Sequence, residues 1–233
     1  MRIAMWSGPR NLSTAMMYSF GARSDFAVWD EPFYGAYLAA TGIDHPMRAE
    51  TIANAETDPE KVAQRCLGPI PNSKSHFYMK HMPHHMVEGF PLDWADECIN
   101  VHLIRHPARV VASYAAKRET VTLDDIGYRQ QVDVYERVGG LVVDSFDIRQ
   151  NPGKFLARLC AEIGLPFDDA MLRWSSGGHP QDGVWAAHWY GAVHRSTGFA
   201  GPEGEMPELD GDAAALAEEA VPYFNVLKSV AIS

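Results

Sequence analysis

The sequence predicts an α/β fold in three layers, with a central, mainly parallel sheet of five strands between two layers of helices. The chain has 233 residues, 46% of them apolar, and six tryptophans, so it can bury a large core. Short apolar segments alternate with segments of helical periodicity, a pattern typical of parallel sheets whose connections are helices. With no internal repeat or low-complexity tract, residues 1–233 are expected to form a single domain.

Five apolar segments bounded by polar or turn residues are predicted to be the strands. They span residues 2–6, 26–29, 77–80, 99–104 and 141–146. Because neighbouring βαβ strands run parallel, the turn after the first strand and the residues after the second should lie at the same edge of the sheet.

Helical periodicity and end signals predict the connecting helices. They span residues 13–20, 49–55, 59–66, 107–118, 128–138, 152–163 and 212–220. Glycine, proline and aromatic residues dominate residues 175–207, which are predicted to be a long loop region. Loops of that length are more often functional than idle.

Composition excludes several classes of function. The net charge of −10 argues against a surface that binds nucleic acid through its phosphates. The N-terminus lacks the apolar run of a secretion signal, and no segment is apolar enough to span a bilayer. The chain has three cysteines, an odd number, and they are widely spaced, which suits free thiols in a reducing compartment. We therefore expect a cytoplasmic protein without nucleic-acid or membrane partners.

The turn Ser7-Gly8-Pro9-Arg10-Asn11-Leu12-Ser13-Thr14 leaves the first strand and enters a helix. The free backbone N–H groups and dipole of a helix N-terminus favour an anion there. The turn is not a Walker A loop, because residues 13–15 lack the glycine, lysine and hydroxyl that this motif requires. An ordinary helix start remains the alternative.

A second segment, Leu103-Ile104-Arg105-His106-Pro107-Ala108-Arg109-Val110-Val111-Ala112-Ser113-Tyr114, joins the fourth strand to a helix. Arg105 stands at the carboxyl end of the strand, and Ser113 lies about two turns along the helix. The two side chains can hold one phosphate together. The alternative is an arginine pair exposed to solvent at a helix start.

Together these two segments resemble the sulfotransferase superfamily that uses 3′-phosphoadenosine 5′-phosphosulfate. The similarity extends through Leu141-Val-Val-Asp-Ser-Phe-Asp147, Asn151-Pro152 and Glu162-Ile163-Gly164-Leu165, and so covers most of residues 2–166. It implies a fold like that of the P-loop NTPases, transfer of a sulfuryl group to a hydroxyl or amine of a small-molecule acceptor, and no metal.

The resemblance also implies roles for individual residues. Arg10 matches the lysine of the family's 5′-phosphosulfate site, and Arg105 and Ser113 match its 3′-phosphate site. The remaining nucleotide-binding candidates lie in the opening turn and in Arg195-Ser-Thr-Gly-Phe199, which only loosely matches the motif that closes over the nucleotide: they are Asn11, Leu12, Ser13, Thr14 and Arg195.

Two residues depart from the family pattern. Leu12 stands where many members have glycine, and Ala15 stands where cytosolic members have a tryptophan stacked on adenine. Trp185 or Trp189 could supply a substitute ring, although packing in the core is the alternative for both.

The catalytic base has two candidates. Glu31 follows the second strand and resembles the base of carbohydrate-type and bacterial members, and we favour it. Lys80-His81-Met82-Pro83 is similar to the Lys-Thr-His-Leu-Pro segment of cytosolic members, but it lacks one residue. Since side chains of a strand alternate between faces, the missing residue alters the expected orientation of His81. Lys80 is then a candidate to contact the sulfuryl group.

Structural roles compete with each of these assignments. Glu31 can be an ion-pairing carboxylate at a helix start, and His81 can be a buried core histidine. His81, His84 and His85 also suggest a metal site, but no matching cysteine or acidic spacing accompanies them.

Two other functions compete with sulfuryl transfer. One is a kinase acting on a nucleotide or another small molecule, which requires ATP and magnesium. The other is a binding protein that keeps the nucleotide site without turnover. The acceptor is expected near Glu31, Phe33, Tyr34 and residues 185–190, whose aromatic character favours an apolar or ring-bearing molecule.

Overall fold

A computed structural model describes residues 1–115 and 121–232 and contains one parallel sheet. The strands follow one another along the chain as β1 (Arg2–Ser7), β2 (Phe26–Asp30), β3 (His76–His81), β4 (Ile99–Ile104), β5 (Leu141–Asp144) and β6 (Ala231–Ile232). Their order across the sheet is β2-β3-β1-β4-β5-β6, and every pairing is parallel. The predicted α/β class and parallel sheet are confirmed.

Helices connect and cover the strands. They are α1 (Ser13–Gly21), α2 (Tyr34–Thr41), α3 (Arg48–Asn54), α4 (Pro59–Leu67), α5 (Pro107–Ala115), α6 (Leu123–Ile126), α7 (Tyr128–Val138), α8 (Ser145–Gln150), α9 (Pro152–Glu162), α10 (Ala186–Trp189), α11 (Gly191–His194) and α12 (Gly211–Lys228). Short 3₁₀ turns lie at Pro71–Ser73, Pro83–His85, Asp93–Glu97 and Asp169–Leu172. In the described part of the chain, no helix is both long enough and apolar enough to cross a membrane.

The central strand β1 shows how the core is divided between the two faces of the sheet. Ile3 and Met5 pack in the cluster beneath α1 and α9, whereas Ala4 and Trp6 pack in the cluster on the opposite face. All four residues are fully buried. Side chains of a strand alternate between faces, so a strand covered on both sides is apolar throughout.

The predicted number of five strands is wrong, because the sheet has six. The additional strand, β6, has only two residues, too few to show a period in the sequence. The fifth strand also ends earlier than expected: the Asp144 side chain accepts a hydrogen bond from Phe146 N and caps α8. An N-cap of this kind favours helix over further strand.

Several helices also differ from the prediction. The region 175–207 contains the one-turn helices α10 and α11, and the last helix continues through Pro222 to Lys228. The predicted helix 107–118 is observed as α5 to Ala115, and its last three predicted residues lie outside the described ranges.

The order of the strands creates a crevice at one edge of the sheet. Strands β1 and β4 are neighbours, but the chain leaves β1 towards β2 and leaves β4 towards β5. Open parallel sheets bind ligands where neighbouring connections diverge in this way, beyond the carboxyl ends of the strands.

Candidate functional site

A cavity of about 300 Å³ lies at the carboxyl edge of the sheet. Residues that follow five of the strands line it: Arg10, Glu31, Met82, Arg105 and Ser145. Its volume is near the lower limit for a small-molecule site. The parallel sheet therefore brings segments that are distant in the sequence to one cavity.

One end of the cavity is cationic. Arg10 Nε donates to Ser113 Oγ at 2.9 Å, and Arg105 Nη1 donates to the backbone oxygen of Arg10 at 2.8 Å. The two segments singled out in the sequence are thus in direct contact. Among the described residues, no carboxylate pairs with the Arg10 guanidinium, and burial followed by the charge of Arg105 lowers its pKa.

Helix α1 begins at this end of the cavity. Ser13 and Thr14, in its first turn, line the cavity, and the N-cap residue Leu12 makes no side-chain capping bond. The backbone N–H groups of a helix start and its dipole attract an anion. The turn and α1 therefore add hydrogen-bond donors beside Arg10.

Left-handed backbone conformations concentrate at the cavity. Arg10, Leu12 and Glu31 have φ values of 64°, 78° and 42°, and they are three of the six non-glycine residues with positive φ in the described ranges. All three line the cavity. Such conformations are costly outside glycine and tend to occur at functional sites.

The other side of the cavity contains a buried ionic network. Lys80 Nζ lies 2.7 Å from Glu31 Oε1 and 3.0 Å from Asp30 Oδ1, and it also contacts the Tyr190 hydroxyl. That hydroxyl lies 2.9 Å from Asp30 Oδ1 and 3.0 Å from Glu31 Oε1. Lys80, Glu31 and Tyr190 line the cavity, whereas Asp30 lies behind them.

Burial and mutual charge shift the pKa values of this network. Burial, together with the charge of Glu31, raises the pKa of Asp30 to about 6 against the opposing effect of Lys80. Burial lowers the pKa of Lys80, but the two carboxylates reverse this effect and its net pKa is raised. Burial also raises the pKa of Tyr190 well above its ordinary value. Lys80 is therefore an ammonium and Tyr190 a neutral donor.

Aromatic and imidazole rings form the remaining wall. The Tyr34 and His85 rings stack with centroids 4.7 Å apart, and the Tyr34 hydroxyl lies 2.5 Å from His45 Nδ1. Burial raises the pKa of Tyr34 and lowers the pKa of His85, so both rings are neutral. With Trp189 they make a wall suited to an uncharged ring.

The structure does not bring every predicted residue to the cavity. His81 is 1% exposed, and its ring lies 4.7 Å from the rings of both Trp6 and Trp94. It follows Lys80 on β3, so the two side chains point to opposite faces. Burial lowers the pKa of His81 to about 3. The histidine is therefore a neutral core residue, separate from His84 and His85, which line the cavity.

Three further candidates also lie outside the cavity wall. The Asn11 side chain turns inward and donates to Leu103 O at 3.3 Å, and Arg195 is exposed to solvent. Trp185 is buried, with its ring 5.0 Å from Tyr34, whereas Trp189 lines the cavity. In the described ranges, no group of three or more His, Cys, Asp or Glu side chains is arranged to hold a metal ion.

Sequence reasoning missed several residues of the site. Arg149 and Glu203 line the cationic end, and Asp30 belongs to the ionic network. Tyr190 was expected only in the acceptor region, not in this network. Arg149 follows β5 and could have been found from its place after a predicted strand. Nothing in the pattern around Glu203 indicates its position, because residues 199–210 form neither helix nor strand.

Comparisons with known proteins identify the family and the fold of the chain. A family model described as a sulfotransferase domain matches residues 1–231. Two solved structures share the fold, each with 12% identity and a TM-score of 0.55: a sulfotransferase domain from the curacin biosynthetic pathway and a sulfotransferase from Alicyclobacillus acidocaldarius. The alignments cover 96% and 99% of this chain, and 96% of each structure.

Two curated relatives have different names. Branched-chain-amino-acid aminotransferase-like proteins 1 and 2 of Arabidopsis thaliana are 34% and 33% identical to this chain over 97% of its residues. The chain spans only 41% of the length of either relative. Their names describe proteins more than twice as long as this chain.

Proposed function

Because this chain belongs to the sulfotransferase domain family, we propose that it transfers a sulfuryl group from 3′-phosphoadenosine 5′-phosphosulfate to a hydroxyl or amine of a small acceptor. The observation that carries the proposal is the contact of Arg10 with Ser113 and of Arg105 with the backbone of Arg10. Two cationic segments on neighbouring strands meet in one cavity, as a nucleotide with two separate anionic groups requires.

Each end of the nucleotide is assigned to one segment. Arg10 and the first turn of α1, with Ser13 and Thr14, bind the 5′-phosphosulfate. Arg105 and Ser113 bind the 3′-phosphate. Support comes from the uncapped helix start and from the absence, in the described ranges, of a carboxylate paired with Arg10. Trp189 is the candidate for contact with adenine, since its ring lines the cavity.

We assign the role of base to Glu31. Its carboxylate accepts the proton of the acceptor O–H or N–H as the acceptor atom forms a bond to sulfur. The bond between sulfur and the bridging phosphate oxygen breaks, and adenosine 3′,5′-bisphosphate leaves with that electron pair. Arg10 and the helix start stabilise the charge on the sulfuryl oxygens and the departing phosphate.

Lys80 is assigned a positioning role in place of contact with the sulfuryl group. Its ammonium is surrounded by Asp30, Glu31 and the Tyr190 hydroxyl, which use its three donors. Its contact with Glu31 Oε1 at 2.7 Å holds that side chain at the cavity.

The acceptor is assigned to the wall formed by Tyr34 and His85. Their rings are neutral and lie on the Glu31 side of the cavity, which favours an apolar or ring-bearing molecule. A cytoplasmic location belongs to the same proposal and is supported by the three free cysteines, Cys66, Cys98 and Cys160.

Calorimetry with adenosine 3′,5′-bisphosphate and with ATP and magnesium tests the donor. We expect the bisphosphate to bind and Arg105→Ala to weaken its binding at least about tenfold, the loss typical of a charge-assisted phosphate contact. The matched control is Arg129→Ala, which removes an exposed arginine. Binding of ATP and magnesium without the bisphosphate would favour the kinase.

Transfer of labelled sulfate from the donor to a library of alcohols, phenols, sugars and amines tests the reaction. A product that disappears in Glu31→Gln supports the proposal. Bisphosphate binding without any labelled product, together with a biological activity that Glu31→Gln leaves unchanged, would favour the binding protein.

A further inference from the structure

Three guanidinium groups converge on the carboxylate of Glu203. Arg105 Nε and Arg149 Nη1 donate to its Oε1 at 2.7 Å and 3.1 Å, and Arg109 Nε lies 2.9 Å from its Oε2. The three arginines come from the end of β4, from α5 and from α8. Three rigid elements therefore direct positive charge to one point.

Glu203 differs from its neighbours in the chain. Its side chain is 1% exposed, whereas Gly201, Pro202, Gly204 and Glu205 are all exposed to solvent. The segment is held by the same arginines, since Arg149 Nε donates to Gly201 O at 2.8 Å and Arg109 Nη2 donates to Gly204 O at 2.5 Å. The surface segment 201–205 is thus attached to the arginines, and Glu203 is its buried acidic side chain.

The charges at this point suit a phosphate better than a carboxylate. Glu203 supplies one negative charge to three guanidinium groups, whereas a phosphate monoester carries nearly two and has three acceptor oxygens. Arginine forks bind phosphate strongly in this way. Glu203, Arg105 and Arg149 line the cavity, and Arg105 also contacts Arg10.

We propose that Glu203 is an internal competitor for the 3′-phosphate of the nucleotide. Its carboxylate occupies the subsite formed by Arg105, Arg109 and Arg149, and residues 201–205 leave this subsite when the nucleotide binds. Arg109 and Arg149 then become phosphate ligands in addition to Arg105. The inference rests on the proposed donor, and it adds two binding residues and a moving segment to the site.

The first test compares Glu203→Gln with the wild-type protein by calorimetry. If the carboxylate occupies the subsite in roughly nine molecules of ten, adenosine 3′,5′-bisphosphate should bind Glu203→Gln about tenfold more tightly. Adenosine 5′-monophosphate, which lacks the 3′-phosphate, should bind both proteins equally. Glu205→Gln is the matched control, because it removes the same charge from an exposed position two residues away.

The second test uses the wild-type protein alone. Hydrogen exchange of the backbone amides of residues 201–205 should become faster when the bisphosphate is added, because the segment loses its three arginine partners. Adenosine 5′-monophosphate should leave the exchange unchanged. Slower or unchanged exchange with the bisphosphate would overturn the proposed movement.

The outcomes separate this inference from the proposed donor. Equal binding of the bisphosphate to the wild-type protein, Glu203→Gln and Glu205→Gln would overturn the competition and leave the donor supported. If the bisphosphate binds none of them, the donor is wrong, and inorganic phosphate becomes the probe. Tighter phosphate binding by Glu203→Gln would then support the competition, and unchanged binding would overturn it.

Discussion

The buried network at Glu31 shows how single residues determine the chemistry of the cavity. Lys80 provides one positive charge for two carboxylates, and these three groups are at most 7% exposed. With both carboxylates ionised, the network keeps one net negative charge. Glu31 alone of the two carboxylates lines the cavity, which supports its proposed role as the base.

Glu31→Gln should reduce kcat by about 10² to 10⁴, because the amide cannot accept the proton of the acceptor. Binding of adenosine 3′,5′-bisphosphate should change little, since Arg10 and Arg105 remain. The measurements are labelled-sulfate transfer and calorimetry. Glu88→Gln removes an exposed carboxylate and is the control. A variant with full activity would contradict the assignment of Glu31 as the base.

Tyr190→Phe should move the acidic limb of the kcat/KM profile to higher pH. The hydroxyl lies 2.9 Å from Asp30 Oδ1, and the pKa of Asp30 is already raised to about 6. Without this donor the ionised form of Asp30 is less stable, so the network takes up a proton at a higher pH. The measurement is a pH profile from about 5 to 9, a range in which positioned carboxylates titrate. If kcat falls but the acidic limb of the kcat/KM profile stays at the same pH, the ring has a purely structural role.

Residues at the ends of predicted strands were the ones that the sequence could identify. Arg10, Glu31, Arg105 and Ser113 all follow a strand or lie in the helix after it, and the parallel sheet brings them to one cavity. His81 shows the limit of this reasoning. Its position along β3 decides which face of the sheet its side chain points to, and the sequence alone did not distinguish a catalytic base from a buried core histidine. Glu203 comes from an irregular segment, and local pattern says nothing about such a segment.

Among the elements, strands longer than three residues were predictable because their apolar segments are bounded by turn residues. The start of β5 requires one of these turns. Gly140 has a φ of 118°, and a β-carbon there would lie 2.3 Å from the backbone oxygen of Asn100 in β4. Strand β6, which has only two residues, left no such signal, and neither did the capped start of α8.

Gly140→Ala should lower the free energy of unfolding by about 3 kcal/mol or more, because it adds a backbone clash to an unfavourable φ. Urea unfolding measures the change. Gly42→Ala is the control: Gly42 has a φ of 66°, and nothing lies within 4 Å of its added β-carbon. It should cost only about 1 kcal/mol for the left-handed backbone. Equal losses at both positions would contradict the packing argument.

For the whole molecule, buried histidines make the stability depend on pH. Burial lowers the pKa of His81 to about 3 and the pKa of His102 to about 4. Between these values and about 6.5 the unfolded chain binds protons at these residues that the folded chain does not. The free energy of unfolding should therefore fall as the pH falls from about 7 to 4. Asp30, whose pKa is raised, opposes this trend.

His81→Leu should flatten this dependence. In the described structure His81 Nε2 has no hydrogen-bond partner, so leucine removes a titrating group without removing a bond. The loss of stability between pH 7 and pH 5, measured by urea unfolding, should be smaller than in the wild-type protein by about 2 kcal/mol. His188→Gln, which changes an exposed histidine, should leave the slope as it is. An unchanged slope in His81→Leu would show that His81 titrates normally.

The hydroxyl of Tyr190 bonds to Asp30, which lies 160 positions earlier in the chain, and also contacts Lys80. A chain shortened after residue 165 would keep five of the strands and both carboxylates, yet the ammonium of Lys80 would lose one of its three partners. Synthesis of the protein from its N-terminus therefore builds most of the sheet before the network around the proposed base is complete, and we expect activity only when the last third of the chain has been made.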